Sequence, residues 1–222
     1  MNAVKALLDA GISRLPVDLE QVAEFYSIRI VDYPACAEYL GMSVEQLYSS
    51  ISPYGFSFCD EGEFVCAVNG NACGKSRRRW TLAHELAHIL LGHIENSGTA
   101  PLSEVCEREA DCFAAELLAP MDVLQFCAVS SPQEIARLCG LSLQAAQYRY
   151  EELLALRRCH HAMMRDSLRG IEGAAVFLAD DDRMRLYMQL LPFVAEYISE
   201  RTRHDGYAEY LRRTGTERMS IE

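Results

Sequence analysis

Several things this sequence lacks narrow its class before any motif is read. None of its nine cysteines forms a Cys-x-x-Cys pair, and the number is odd. A disulfide framework wants an even set, and a thiolate zinc site wants closely spaced pairs. Free thiols in a reducing compartment are therefore expected. No apolar run reaches the length of ~18 residues that a membrane span needs. Residues 1–15 carry one lysine and an apolar run broken by Asp9, which is unlike a signal peptide. A cytoplasmic location is expected. Positive charge is scarce: 21 Lys and Arg stand against 32 Asp and Glu, a net charge of −11. That argues against a general nucleic-acid binder. Internal repeats and low-complexity tracts are absent.

What is present is a chain of 222 residues, half of them hydrophobic. That suffices for one large domain, or a domain with a small appendage. Its organising stretch is Arg78 to His93, which contains His84-Glu85-x-x-His88 in an apolar setting of Leu82, Ala83, Leu86, Ala87, Ile89, Leu90 and Leu91. Apolar residues almost all round predict a buried helix, stopped at Gly92. Residues four apart share a helical face, so His84 and His88 can face one metal ion. Glu85 lies about a hundred degrees round, where it reaches a water beside the metal rather than the metal. Two imidazoles holding Zn2+ and a carboxylate acting as general base is the arrangement of a zinc hydrolase.

Such a site needs a third protein ligand. Residues 104–119 predict a helix capped by Ser103 and stopped by Pro120, with Glu104, Glu107, Glu109 and Asp111 as candidates. Glu107 is the choice. It precedes Asp111 by four, so Glu107 can ligate while Asp111 accepts the spare N–H of a ligand histidine. Glu109 flanks the same region as the fallback. A metzincin would need glycine and histidine where Leu91 and Ile94 stand, so His93 reads as a loop residue.

Upstream, helices are expected over 2–10 and from an Asp18 cap, then a strand over 27–31 interrupted by Pro34, then a helix over 36–49. Strands over 56–59 and 63–69 form a hairpin around Asp60-Glu61-Gly62, and the second strand is expected to offer an edge to an extended peptide. Lys75, Arg77, Arg78 and Arg79 read as a solvated helix start. Tyr54, Tyr148, Tyr150, His160 and His161 are the candidate oxyanion donors, none of them placed near the metal by sequence. Downstream, 133–139 and 143–156 resemble a helix-turn-helix. Its weak basic charge favours a structural or substrate-docking role over direct DNA binding. Residues 174–178 are a buried strand or helix start, 183–201 a helix kinked at Pro192, and 203–222 a polar end expected to fray.

The segment from Arg78 to His93, followed by Cys106-Glu107-Arg108-Glu109-Ala110-Asp111-Cys112-Phe113-Ala114-Ala115-Glu116-Leu117-Leu118-Ala119-Pro120, resembles the ImmA/IrrE family of metallo-endopeptidases. Ala119 replaces the family's usual methionine. The resemblance covers roughly residues 12–158. It implies an α+β fold: a zincin-like domain over 1–128 with a small sheet against the metal helix. A helix-turn-helix-like segment over 129–160 and a mainly helical region over 161–222 follow. It implies ligands at His84, His88 and Glu107 and a catalytic base at Glu85. It also implies a protein substrate, a helix-turn-helix transcriptional repressor, for a family whose members are encoded by mobile elements or belong to stress responses. The rival expectation is a DNA-binding regulator or a protein-binding module with a structural or vestigial metal site.

Overall fold

The structure is a computed structural model that describes residues 1–70, 74–94, 102–167 and 181–204, the side chains of 160–167, 181 and 202–204 excepted. The expectations for 174–178 and for the polar end beyond 204 lie outside the described residues.

A small sheet and the helices around it give the expected α+β fold. The chain opens with helices α1 (Ala3–Asp9) and α2 (Leu19–Phe25), then strand β1 (Ile28–Asp32). Asn2 and Asp18 cap the two helices by accepting from Lys5 N at 2.8 Å and Gln21 N at 3.1 Å. Next come α3 (Tyr33–Leu40) and α4 (Val44–Ser50), where one helix over 36–49 was expected. Pro34 does not merely end the strand. It occupies the first turn of α3, where its missing N–H costs nothing. Gly41, at φ 65°, closes α3, and Ser43 and Gln46 form a capping box that starts α4.

Strands β2 (Gly55–Asp60) and β3 (Glu63–Val68) form the expected hairpin. Glu61 and Gly62 both take positive φ, 48° and 88°, as a two-residue primed turn requires. The sheet order is β1-β3-β2, with β1 parallel to β3 and β2 antiparallel to it. The strand over 63–69 is therefore central, with its ladder groups used on both sides. The expectation that it offers an edge to a peptide is wrong; β2 is the edge on that side. Along β2 the side chains alternate. Phe56 and Phe58 pack with Tyr33, Cys36, Ala37, Leu47 and Ala67 on one face. Gly55 and Ser57 face the other way, towards the metal helix.

That helix is α5 (Lys75–Leu90), and α6 (Glu104–Leu118) packs along it. Buried Leu82, Ala83, Leu86 and Ala87 meet Ala110, Phe113, Ala114 and Leu117 in the main core, which also takes Cys66 and Val68 from β3. Helices α7 (Met121–Phe126), α8 (Pro132–Cys139), α9 (Leu143–Ser167) and α10 (Asp181–His204) complete the described chain. α10 runs on through Pro192 and returns to the N-terminus, where Gln189 Nε2 donates to the carbonyls of Leu7 and Ile12 at 3.3 and 2.7 Å. Its Leu186, Leu190 and Val194 join the same core as Leu7 and Leu117.

The basic start of α5 is not uniformly solvated. Arg79 donates to the carbonyl oxygens of Val17 and Cys139, tying α5 to α8 and to the loop before α2. Burial lowers its pKa, and the two carbonyls take up its donors. Among the described residues no disulfide forms. Cys36, Cys66, Cys127 and Cys139 are buried free thiols as expected, whereas Cys112 and Cys159 are exposed. No helix among the described residues is long and apolar enough to cross a membrane.

Candidate metal centre

The helical repeat brings His84 and His88 one turn apart on the face of α5 that meets α6. Their Nε2 atoms lie 2.9 Å apart. Glu107, one turn into α6, offers Oε2 at 3.3 Å from His84 Nε2 and Oε1 at 3.7 Å from His88 Nε2. Ligands about 2.0 Å from a tetrahedral zinc sit about 3.3 Å from one another, and these three spacings bracket that value. Two neutral imidazoles and a carboxylate are also a donor set that zinc accepts. His84, His88 and Glu107 could therefore hold a metal ion.

Burial keeps His88 neutral: its pKa is pushed down to about 4, chiefly by burial and then by neighbouring His84 and His93. A neutral imidazole is the form that ligates. His84 Nδ1 faces Asp111 Oδ1 at 3.0 Å. Glu109 meets the group through His93. Its Oε2 lies 3.2 Å from His93 Nε2, and His93 Nδ1 lies 3.0 Å from His88 Nδ1. His93 is thus no idle loop residue. Gly92, at φ 78°, turns the chain back after α5, and His93 N donates to His88 O at 2.8 Å. The glycine stop was readable; the direction in which it throws the next side chain was not.

Glu85 is outside the ligand group and 8% exposed. Ser57 Oγ donates to its Oε2 at 2.8 Å. Burial raises the Glu85 pKa and the Glu107 charge adds to it, while Ser57 and His84 oppose them. Ser57 went unremarked in the sequence, where it is one serine in a strand. Its position between two phenylalanines that face the other way was the available sign.

A cleft of about 670 Å³ opens over the group, lined among others by Tyr54, Gly55, Arg77, Trp80 and Leu102. Tyr54 is the candidate oxyanion donor that lines it, with the Arg77 guanidinium 5.0 Å over its ring. Tyr150 instead donates to Ser130 O at 2.7 Å, and Tyr148 is 62% exposed on a separate groove beside α9. The side chains of His160 and His161 lie outside the described residues.

The geometry defines a class first: an α+β protein with a helix-borne His-Glu-x-x-His group completed by a glutamate from the next helix. Comparison with known families narrows it. Residues 67–151 match the family model Peptidase_M78, described as the IrrE N-terminal-like domain. That segment is similar to the IrrE N-terminal-like domain, consistent with the ImmA/IrrE resemblance of its motifs, and it contains the whole His-His-Glu group and Glu85. No curated protein matches the chain.

Proposed function

We propose that this protein is a zinc-dependent endopeptidase that hydrolyses a peptide bond in a protein substrate, with His84, His88 and Glu107 as metal ligands and Glu85 as general base. The observation that carries the reading is Glu85. A closed structural zinc site has four protein ligands and no use for a buried glutamate beside them. Here three candidate ligands converge, two histidines and Glu107, and a second carboxylate, Glu85, stands next to them outside that group, hydrogen-bonded by Ser57. The match to a peptidase family over this segment supports the same reading.

Held by His84, His88 and Glu107, zinc would supply Lewis acidity, which polarises a scissile carbonyl and lowers the pKa of water to about 7. The chain does the rest. Glu85 takes the proton from the attacking water and passes it to the leaving amine, a step typically worth about 10²–10⁴-fold. Ser57 occupies Oε2 and so holds the carboxylate in one orientation. Asp111 holds the His84 ring through Nδ1. Substrate lies extended along β2, whose outer edge has no strand partner among the described residues and whose Gly55, Phe56 and Ser57 line the cleft. Main-chain pairing of this kind gives affinity with little demand on sequence. Tyr54, which lines the cleft, donates to the developing oxyanion.

The ImmA/IrrE resemblance makes a helix-turn-helix repressor the substrate to try first, with a cytoplasmic site of action. The α8–α9 pair serves structure rather than DNA. Arg149 is buried and donates to Ala119 O at 2.8 Å and to Glu116 and Glu152, and Arg157 donates to Val129 O at 3.0 Å. Arginines so engaged cannot neutralise phosphates.

The test is metal content together with cleavage. Wild type and Glu85→Gln should each hold about one zinc, and His88→Ala should not. Wild type should cut a repressor encoded nearby, and Glu85→Gln should leave it whole. Wild type without zinc after zinc is supplied, or cleavage that persists in Glu85→Gln, would refute the mechanism.

A further inference from the structure

A metal held at Nε2 needs a lone pair there, so the ring proton of each ligand histidine must sit on Nδ1. Something must accept that proton to fix the tautomer and the ring. For His84 the acceptor is Asp111. Among the described residues no carboxylate pairs with His88 Nδ1; the atom 3.0 Å away is Nδ1 of His93. Two Nδ1 atoms at that distance share one proton. If His88 keeps it, His93 accepts with its bare Nδ1 and carries its own proton on Nε2. That nitrogen faces Glu109 Oε2 at 3.2 Å. With both Nε2 lone pairs kept for the metal, one assignment of protons serves the Nδ1 side: His88 Nδ1–H donates to His93, and His93 Nε2–H donates to Glu109.

We infer that His93 and Glu109 form a positioning relay that holds His88 in its metal-binding tautomer. This rests on the metal centre proposed above. Burial explains why the relay has two members. The His88 side chain is 3% exposed, and a carboxylate placed directly against it would itself be buried at high cost. The His93 side chain is 9% exposed, while Glu109 stays 58% exposed. The imidazole carries the pull of a solvated carboxylate inward without burying a charge. Gly92 and the His93 N to His88 O bond of 2.8 Å set the spacing.

The experiment uses the full chain as wild type, His93→Ala, His93→Gln and Glu109→Gln. Zinc affinity is read by competition with a chromophoric chelator, and the His88 tautomer by long-range proton–nitrogen spectra of the metal-free proteins. His93→Ala should weaken zinc by about 10–100-fold, with a smaller loss in Glu109→Gln. His93→Gln should recover part of it, because a carboxamide can accept from His88 and donate to Glu109. In wild type His88 should carry its proton on Nδ1, and in His93→Ala it should lose that preference. Wild-type affinity in His93→Ala, or an unchanged His88 tautomer, overturns the relay and leaves the metal centre standing. A wild type that binds no zinc overturns the metal centre, and the positioning role with it. Glu109 is exposed, so its variant reports even if His93→Ala folds poorly.

Discussion

Gly55 sets how closely β2 approaches the metal helix, and a methyl group there should be costly. A Cβ at this position would lie 2.5 Å from Thr81 Cγ2, 3.0 Å from the Ala67 carbonyl oxygen and 3.6 Å from Glu85 Cγ. Carbon atoms rest about 3.5–4.0 Å apart, so Thr81 would have to give way by about 1 Å. It is poorly placed to do so: its χ1 is stiff in a helix, and the Ala67 oxygen belongs to the central strand. Gly55→Ala should therefore destabilise the protein by about 1–3 kcal/mol, the usual cost of overpacking. Thr81→Ser removes Cγ2 and should itself cost about 0.8 kcal/mol for the lost buried methyl. Combined, the two should cost less than their sum by about 1 kcal/mol, since contacting residues couple on that scale. They should not cancel, because the Ala67 oxygen remains. Urea unfolding of the wild type, both single variants and the double variant measures this, with an unchanged slope as the check on two-state behaviour. A neutral Gly55→Ala, or strict additivity, would refute the packing argument.

Other perturbations read different parts of the site and scaffold. Ser57→Ala should lower kcat/KM by up to about 10²-fold, the scale of one hydrogen bond to a charged group, with zinc content unchanged; a parallel loss of zinc would mean that Ser57 supports the fold instead. Added zinc should stabilise the protein by about 2.7 kcal/mol at a hundred times its Kd, seen as a higher Tm that a chelator reverses and that His88→Ala lacks. Glu134, on α8, accepts from Ser130 N at 2.7 Å and Tyr197 at 2.5 Å and forms an ion pair with Arg201 at 3.2 Å. Burial alone would raise its pKa, but these donors outweigh burial and leave it below the usual carboxylate value. A depressed folded-state pKa contributes stability that is present above the unfolded value and lost as pH falls through the folded one. Glu134→Gln should therefore be less stable than wild type at pH 7 by about 1–3 kcal/mol, with the gap closing below about pH 4; a gap independent of pH would assign the effect to packing.

Local signals carried much of this architecture. Asp18 and Ser103 stand where helices begin, and each accepts the backbone bond that its position predicts. His84, Glu85, His88, Glu107 and Asp111 could be grouped because all five lie on two helices, and a helix turns sequence spacing into direction. Where local signals competed, one was misread. Pro34 breaks a strand but also starts a helix well, and Asp32 two residues before it caps that helix. Arg79 was hidden for a different reason. Its partners, the carbonyls of Val17 and Cys139, lie about sixty residues away in opposite directions along the chain, and no spacing rule reaches them.

The order of the three strands was more legible than it first appears. Phe64-Val65-Cys66-Ala67-Val68 is an unbroken apolar run, whereas Gly55-Phe56-Ser57-Phe58 alternates. A continuous run marks a strand covered on both faces, and alternation marks one whose two faces differ. Val65, Cys66, Ala67 and Val68 are all buried, as such a run demands. That pattern places β3 in the middle once a third strand exists to flank it, and the strand near 28–32 was already evident. The hairpin partner with mixed faces then becomes the edge, and its small residues, Gly55 and Ser57, fall on the side that faces Glu85. The same two residues thus bring the sheet close to α5, give Glu85 its hydrogen bond from Ser57, and border the edge along which, on the proposed function, a peptide would lie. Bulky side chains there would push β2 away from Glu85 and close the cleft. The apolar core explains why β3 is hydrophobic, and the chemistry proposed for Glu85 explains why this face of β2 is not.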